Sequence, residues 1–291
     1  MISSVTVTYN PDIACLRNQL QSLMGQVDCC IIVDNGSLNI IEIEGLYKEF
    51  SFDLIRLEKN FGLACAQNVG INHAVETKGA DYLLLLDQDS ILEPDFISNL
   101  LSVYQQNNVG ILGASFYDPN SGEIYPGTSY NGPFISRVPV QEFSEVTFVI
   151  ASGSFFSSDV FKKVGRMEEQ LFVDYIDVEW SLRAKSMGYV VAMTNKAKMA
   201  HTIGDARLKI FGRTMSVHSA LRRYYLVRNS FFMLRLPYIP LGYKIRELFL
   251  NILRAVISFF ASKNKKQVLN MVFAGFRDGL SNKYGEYTPK Q

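Results

Sequence analysis

Two aspartates one residue apart, Asp87-Gln88-Asp89, end a run of four leucines, Leu83–Leu86. Carboxylates so spaced at the mouth of a buried strand can hold a hard divalent cation, Mg or Mn, which keeps waters and takes phosphate oxygens as its remaining ligands. The plainer reading is a cap for the turn before Pro94. A second cluster, Asp174-Tyr175-Ile176-Asp177-Val178-Glu179-Trp180 with Arg183 beyond it, gathers three carboxylates around the only tryptophan. Clustered like charges raise one another's pKa, and a carboxylate tuned this way accepts a proton near neutrality. Asp177 suits the start of a helix, where an acidic side chain is also an ordinary cap. His201, one of three histidines, follows the stretch Tyr189–Met193 and opens His-Thr-Ile-Gly-Asp205. It is either a structural histidine or a ligand.

Those groups need a frame. Short apolar runs at Val5–Tyr9, Cys29–Val33, Leu54–Leu57, Tyr82–Leu86 and Gly110–Phe116 read as strands. Helical patterns at Asp12–Met24, Ile40–Phe50, Gly62–Thr77 and Pro94–Gln106 lie between them. The alternation predicts an α/β fold, a doubly wound and mostly parallel sheet with both faces covered. Ligands of such sheets bind at the carboxyl edge of the strands. Four polar clusters fall there: Thr8-Tyr9-Asn10, Asp34-Asn35-Gly36-Ser37, Asn60-Phe61-Gly62 and Asp87-Gln88-Asp89. Each alone could be a turn, but together they predict a binding crevice. Neither a Gly-x-Gly-x-x-Gly fingerprint nor a P-loop is present, so backbone amides are not expected to cradle phosphate.

Composition narrows the class. The 291 residues carry 29 basic and 28 acidic side chains, and 48% are hydrophobic, which excludes a disordered chain and a whole-chain nucleic-acid binder. The average conceals a division: residues 1–221 are net −9 and residues 222–291 net +10. Cys15, Cys29, Cys30 and Cys65 form no Cys-x-x-Cys pair, so reduced cysteines are expected rather than zinc or disulfides. The N-terminal residues have neither the basic nor the apolar region of a secretory signal.

In this order and spacing, Val-Thr-Tyr-Asn, Val-Asp-Asn-Gly-Ser, Asn-Phe-Gly, Ala-Gln-Asn-Val-Gly and Leu-Leu-Asp-Gln-Asp resemble the inverting family 2 glycosyltransferases. More narrowly, they look like the bacterial rhamnosyltransferases that use dTDP-L-rhamnose. The resemblance spans roughly residues 3–230 and implies an A-type glycosyltransferase fold. It implies a nucleotide-binding part at 1–116, an acceptor part at 117–221 and a C-terminal region at 222–291. Thr8, Tyr9 and Asp34 would contact the base with Asn60 nearby, Asp87 the ribose and Asp89 the metal. Asn10 and Gln88 complete the nucleotide-sugar set, and His201 joins the metal or diphosphate. In the family a Glu-Asp pair carries the catalytic base, and counting back from Arg183 puts that Asp at Asp177, where Ile176 replaces the Glu. Asp174 is the second candidate. The acceptor would meet Gly153, Trp180, Arg183, Tyr225 and Arg228.

The basic end forms the last element. Residues 215–236 read as a helix. Beyond Pro240, apolar residues at 245, 248, 249, 252, 253, 256, 257 and 260 give an amphipathic helix with Arg246 and Arg254. Lys263, Lys265 and Lys266 follow. No run of 18 apolar residues exists, so the helix is expected to lie on an anionic membrane surface rather than cross it. That suits a cytoplasmic enzyme at the inner face of the cytoplasmic membrane, acting on a polyprenyl diphosphate-linked saccharide in O-antigen or other cell-surface polysaccharide synthesis. Packing on the catalytic domain or on a second copy of the chain is the alternative. Other readings are a UDP-sugar donor, a nucleotidyltransferase, or a silent nucleotide-sugar- or lipid-binding scaffold.

Overall fold

In a computed structural model, residues 1–201, 207–210, 213–216, 219–262 and 264–289 are described. Lys263 and the 202–206 stretch after His201 lie outside the described residues. The first half follows the expected alternation. β1 (Ile2–Thr8), β2 (Cys29–Asp34), β3 (Asp53–Arg56) and β4 (Tyr82–Asp87) are parallel and ordered β3-β2-β1-β4. α1 (Ile13–Leu23), α2 (Ile40–Gly45) and α3 (Leu63–Asn72) connect them. Asp12 caps α1 through the Cys15 amide at 2.9 Å. The chain turns outward in opposite senses on the two sides of the β1–β4 boundary, which opens a crevice at the carboxyl ends.

Leu83–Leu86 are buried on both faces of β4, which is why this strand reads as an unbroken apolar run. Burying each such side chain stabilises the fold by about 1.5–3 kcal/mol. The sheet continues through β5 (Ile91–Leu92), then α4 (Phe96–Gln106) and β6 (Ile111–Tyr117). The hairpin β7 (Gly127–Asn131) and β8 (Phe134–Val138) stands apart as its own two-stranded sheet. Within residues 143–150 the chain forms the short β9 (Ser144–Glu145) and an isolated bridge from Phe148 to Thr128, while Val146 and Val149 turn into the core.

β10 (Ser154–Ser157) inserts antiparallel between β4 and β6. α5 (Ser158–Val164) and α6 (Ile176–Ser186) then lead to β11 (Val191–Ala200), which lies parallel to β6 and ends at His201. The predicted helix 215–236 begins later than expected. β12 (Arg207–Ile210) and β13 (Arg213–Ser216) form a hairpin, and α7 (Ala220–Arg235) follows. α8 (Leu241–Ala261) and α9 (Lys265–Leu280) complete the described C-terminal region, with α9 packed along α7. Among the described residues no helix is long and apolar enough to cross a membrane.

Candidate active site

The ends of β1, β2, β3 and β4 are stitched together by their own side chains. The Thr8 hydroxyl donates to Asp34 Oδ1 at 3.0 Å, and Asp34 Oδ2 accepts from the Ser37 amide at 3.0 Å. Asn35 donates to Asn60 Oδ1 at 3.0 Å, tying the second loop to the third. Gln88 Oε1 accepts from the Tyr9 amide at 2.9 Å, tying the first to the fourth. Asn10 joins the same rim through Leu38 and Ser37. Gly36, at φ +83°, lies so close to the next loop that a Cβ would sit 2.6 Å from the Lys59 carbonyl carbon. Only glycine permits that approach. Thr8 is buried and holds the Asp34 carboxylate in place. Tyr9 stands exposed at the rim.

His201, delivered by β11, reaches the aspartate pair. Its Nδ1 lies 3.3 Å from Asp89 Oδ1 and its Nε2 lies 3.7 Å from Asp87 Oδ2. Burial opposes its charge, but the two carboxylates outweigh burial and raise its pKa. Burial, and then Asp89, push the Asp87 pKa upward against the pull of His201. Ser90, absent from the sequence prediction, lies 3.2 Å from His201 Nδ1 and 2.6 Å from Ser152 Oγ. The Ser152 hydroxyl also meets the Asp87 amide at 3.1 Å, so the small-residue segment 151–154 braces the aspartate turn. Carboxylate oxygens of Asp87 and Asp89 converge here with the His201 imidazole, and the carboxylates suit Mg or Mn with phosphate and water completing the shell. Among the described residues no group of three or more His, Cys, Asp or Glu is arranged to hold an ion unaided.

The two base candidates separate cleanly. Asp174 is bound to Arg222 by both carboxylate oxygens at 2.9–3.2 Å. Asp177, second residue of α6, accepts from the Val178 amide at 2.8 Å and makes no ion pair among the described residues. Burial raises its pKa to about 6, with the charges of Asp174 and Asp87 adding to the shift and the Val178 and Ala151 amides opposing it. The approach to Asp177 is strained. Phe172, Asp174 and Tyr175 all have positive φ, at 65°, 61° and 67°. Such conformations cost about 1–2 kcal/mol each in a non-glycine residue and persist only where the surroundings hold them.

Comparison with known proteins agrees with this geometry. The model described as Glycosyl transferase family 2 matches residues 3–165. The chain is 35% identical over 284 residues to the dTDP-rhamnosyl transferase RfbF of Shigella flexneri, covering 96% of this chain and 95% of that protein. The chain belongs to glycosyl transferase family 2. As a family 2 glycosyltransferase it is an enzyme with a nucleotide-sugar donor. A structure of S. aureus TarS residues 1–349 in complex with UDP-GlcNAc superposes with TM-score 0.57 at 15% identity, over 95% of this chain and 80% of that one. A structure of GalNAc-T7 with UDP, GalNAc and Mn2+ gives 0.58 at 14% identity, over 97% of this chain and 56% of that one. At those identities the likeness shows the fold alone, an A-type glycosyltransferase sheet with C-terminal helices.

Within this glycosyltransferase the residues expected at the acceptor all have partners inside the protein. Trp180 is buried against Phe156 and Phe161 and donates to the Gly165 carbonyl at 2.8 Å. Arg183 is spent on Glu179 and on the carbonyls of Val164 and Arg166. Gly153 turns at φ +80°, where a Cβ would meet Met199. Tyr225 stacks on Phe172 with ring centroids 5.2 Å apart, and Arg228 is fully buried. Aromatic and basic residues in one run gave the same signal for a ligand site as for an interior clamp. Asn229, next to Arg228 on α7, donates to the carbonyls of Leu171, Val173 and Asp174 at 2.8–3.2 Å and so holds the strained segment.

Proposed function

We propose that the chain transfers L-rhamnose from dTDP-L-rhamnose to a saccharide hydroxyl, with inversion, using Asp177 as the general base. The observation that carries the reading is Asp177, which accepts from the Val178 amide at the start of α6, has no ion pair among the described residues and has its pKa lifted to about 6. The donor assignment is supported by the likeness to RfbF across nearly the whole of both chains. Asp177 takes the acceptor hydroxyl proton as that oxygen bonds to the anomeric carbon. The carbon–oxygen bond to the diphosphate breaks on the opposite face, and the electron pair leaves with dTDP. Tyr9 and Asp34 meet the base, Asn10, Asn60 and Gln88 line the nucleotide side, and Asp87 meets the ribose. Asp89 and His201 would hold Mg or Mn, which neutralises the leaving diphosphate when bound. The test is thermal stabilisation by nucleotide sugars. With Mg or Mn, dTDP-L-rhamnose raises Tm by several degrees more than UDP-sugars do, and chelator lowers turnover at least tenfold. Equal response to UDP-sugars overturns the donor, and turnover that survives exhaustive chelation overturns the metal.

The same reading takes a lipid-linked acceptor, on a polyprenyl diphosphate in cell-surface polysaccharide synthesis, at the inner face of the cytoplasmic membrane. Its support is the orientation of α8. Tyr243, Glu247, Asn251 and Ser258 are buried, whereas Leu241, Ile245, Phe249, Val256 and Phe260 are exposed. The apolar face of this helix is therefore its outward face, in the half of the chain that carries the net positive charge. Co-sedimentation with phosphatidylglycerol vesicles is expected, and Phe249→Glu with Phe260→Glu reduces it at least tenfold while leaving Tm unchanged. Equal binding by the double variant, or none by the parent chain, removes the membrane from the reading.

A further inference from the structure

We infer that Glu247 of α8, acting through the Tyr175 hydroxyl, is a positioning residue that sets the first turn of α6 and with it the Asp177 carboxylate. The inference rests on the reading of Asp177 as base. The segment before Asp177 is held from several sides. The Phe172 carbonyl accepts from the Leu63 amide at 2.7 Å, the Leu171, Val173 and Asp174 carbonyls accept from Asn229, and the Asp174 carboxylate is clamped by Arg222. These ties end at Asp174. Tyr175, whose φ of 67° aims α6, is held at its side chain by α8. Its hydroxyl donates to Glu247 Oε2 at 3.0 Å and accepts from Asn251 Nδ2 at 2.8 Å.

Glu247 is built to stay in place. It is buried, its Oε1 accepts from the Tyr130 hydroxyl at 3.2 Å, and Arg246 and Arg254 pair with it at 3.0 and 3.2 Å. A buried carboxylate so matched has little freedom to move. α8 itself is seated without slack. A Cβ on Gly242 would lie 2.2 Å from the Gly132 carbonyl carbon in the β7–β8 turn, and Tyr243 packs on Tyr130 with ring centroids 4.9 Å apart. Glu247 makes none of its hydrogen bonds with Asp177, so its effect on the base passes through Tyr175.

The test compares Glu247→Gln, Tyr175→Phe and the double variant with the parent chain, reading kcat, donor KM and Tm. Each single variant is expected to lower kcat roughly 5- to 50-fold with donor KM within about twofold, and the double variant to be no worse than the poorer single one, because both changes break one connection. Parent-level kcat in folded variants, a rise in donor KM instead, or losses that multiply in the double variant each overturn the inference. Should Glu247→Gln not fold, Tyr175→Phe, which removes one oxygen atom, decides it alone. Asp177→Asn measured in parallel separates the two failures. An active Asp177→Asn removes the base reading, whereas an inactive one beside an unimpaired Glu247→Gln removes only this inference.

Discussion

Asp177→Asn is expected to lower turnover by about 10²- to 10⁴-fold, the usual contribution of a positioned general base, while nucleotide-sugar binding stays within about twofold. Asparagine keeps an oxygen that can accept from the Val178 amide, so the site keeps its shape and loses the capacity to take a proton. The parent enzyme carries the matching pH signature. Because burial, with Asp174 and Asp87, lifts the Asp177 pKa to about 6, kcat falls roughly tenfold per pH unit below that value and levels off above it. Stability runs the other way. Asp177 titrates near 3.9 in an unfolded chain, so below that pH it is neutral in both states and costs nothing. As pH rises through about 6 the folded protein must carry a desolvated charge, and stability is lost. A shift of two units corresponds to at most about 3 kcal/mol, and the partial exposure of Asp177 reduces that to roughly 1 kcal/mol. Asp177→Asn is therefore less active but more stable than the parent at pH 8, and equal to it in stability at pH 4. Thermal melts at the two pH values and a kcat–pH profile check both halves. Activity within tenfold of the parent would transfer the base role elsewhere.

The donor side of this enzyme was readable because its strands are buried on both faces and end in polar residues that must serve either a turn or a ligand. The expected strands at β1, β2, β3, β4 and β6 coincide with the observed ones to within a few residues at each end. β10 escaped because Ser154–Ser157 is only four residues long and pairs antiparallel with strands distant in sequence. Asp174 and Asp177 look alike in sequence and differ in one tertiary fact, the guanidinium of Arg222. Glu247 could not be found from spacing, since its partner Tyr175 lies tens of residues away in sequence. Periodicity located α8 but left open which of its faces turns inward. Here the polar face does, because Tyr130 and Tyr175 offer it hydroxyls.

Arg228 is where the ligand and interior readings make opposite predictions. Its guanidinium donates to the Leu171 carbonyl at 2.9 Å, to Gln170 at 3.3 Å, to Asn229 Oδ1 at 2.8–2.9 Å and to the Gly285 carbonyl. It also lies over the rings of Tyr225 and Tyr224, at 4.8 and 5.4 Å from their centroids. Arg228→Met keeps the apolar stem and takes a donor away from the buried Leu171 carbonyl and from the part-buried contacts to the Gln170 and Gly285 carbonyls. Each such loss costs about 1–3 kcal/mol, and the lost cation–ring contact adds about 1–2 kcal/mol. Some relaxation around the smaller side chain leaves a net cost of roughly 3–5 kcal/mol. For a chain of this size that is a fall in Tm on the order of 6–15 °C. Because Asn229 and the strained 172–175 segment share this network, kcat falls with the fold, while acceptor KM in the protein that remains folded stays near the parent value. Urea unfolding and acceptor titration of Arg228→Met measure the two effects separately. A raised acceptor KM with an unchanged unfolding midpoint would return Arg228 to the acceptor site and remove it from the clamp.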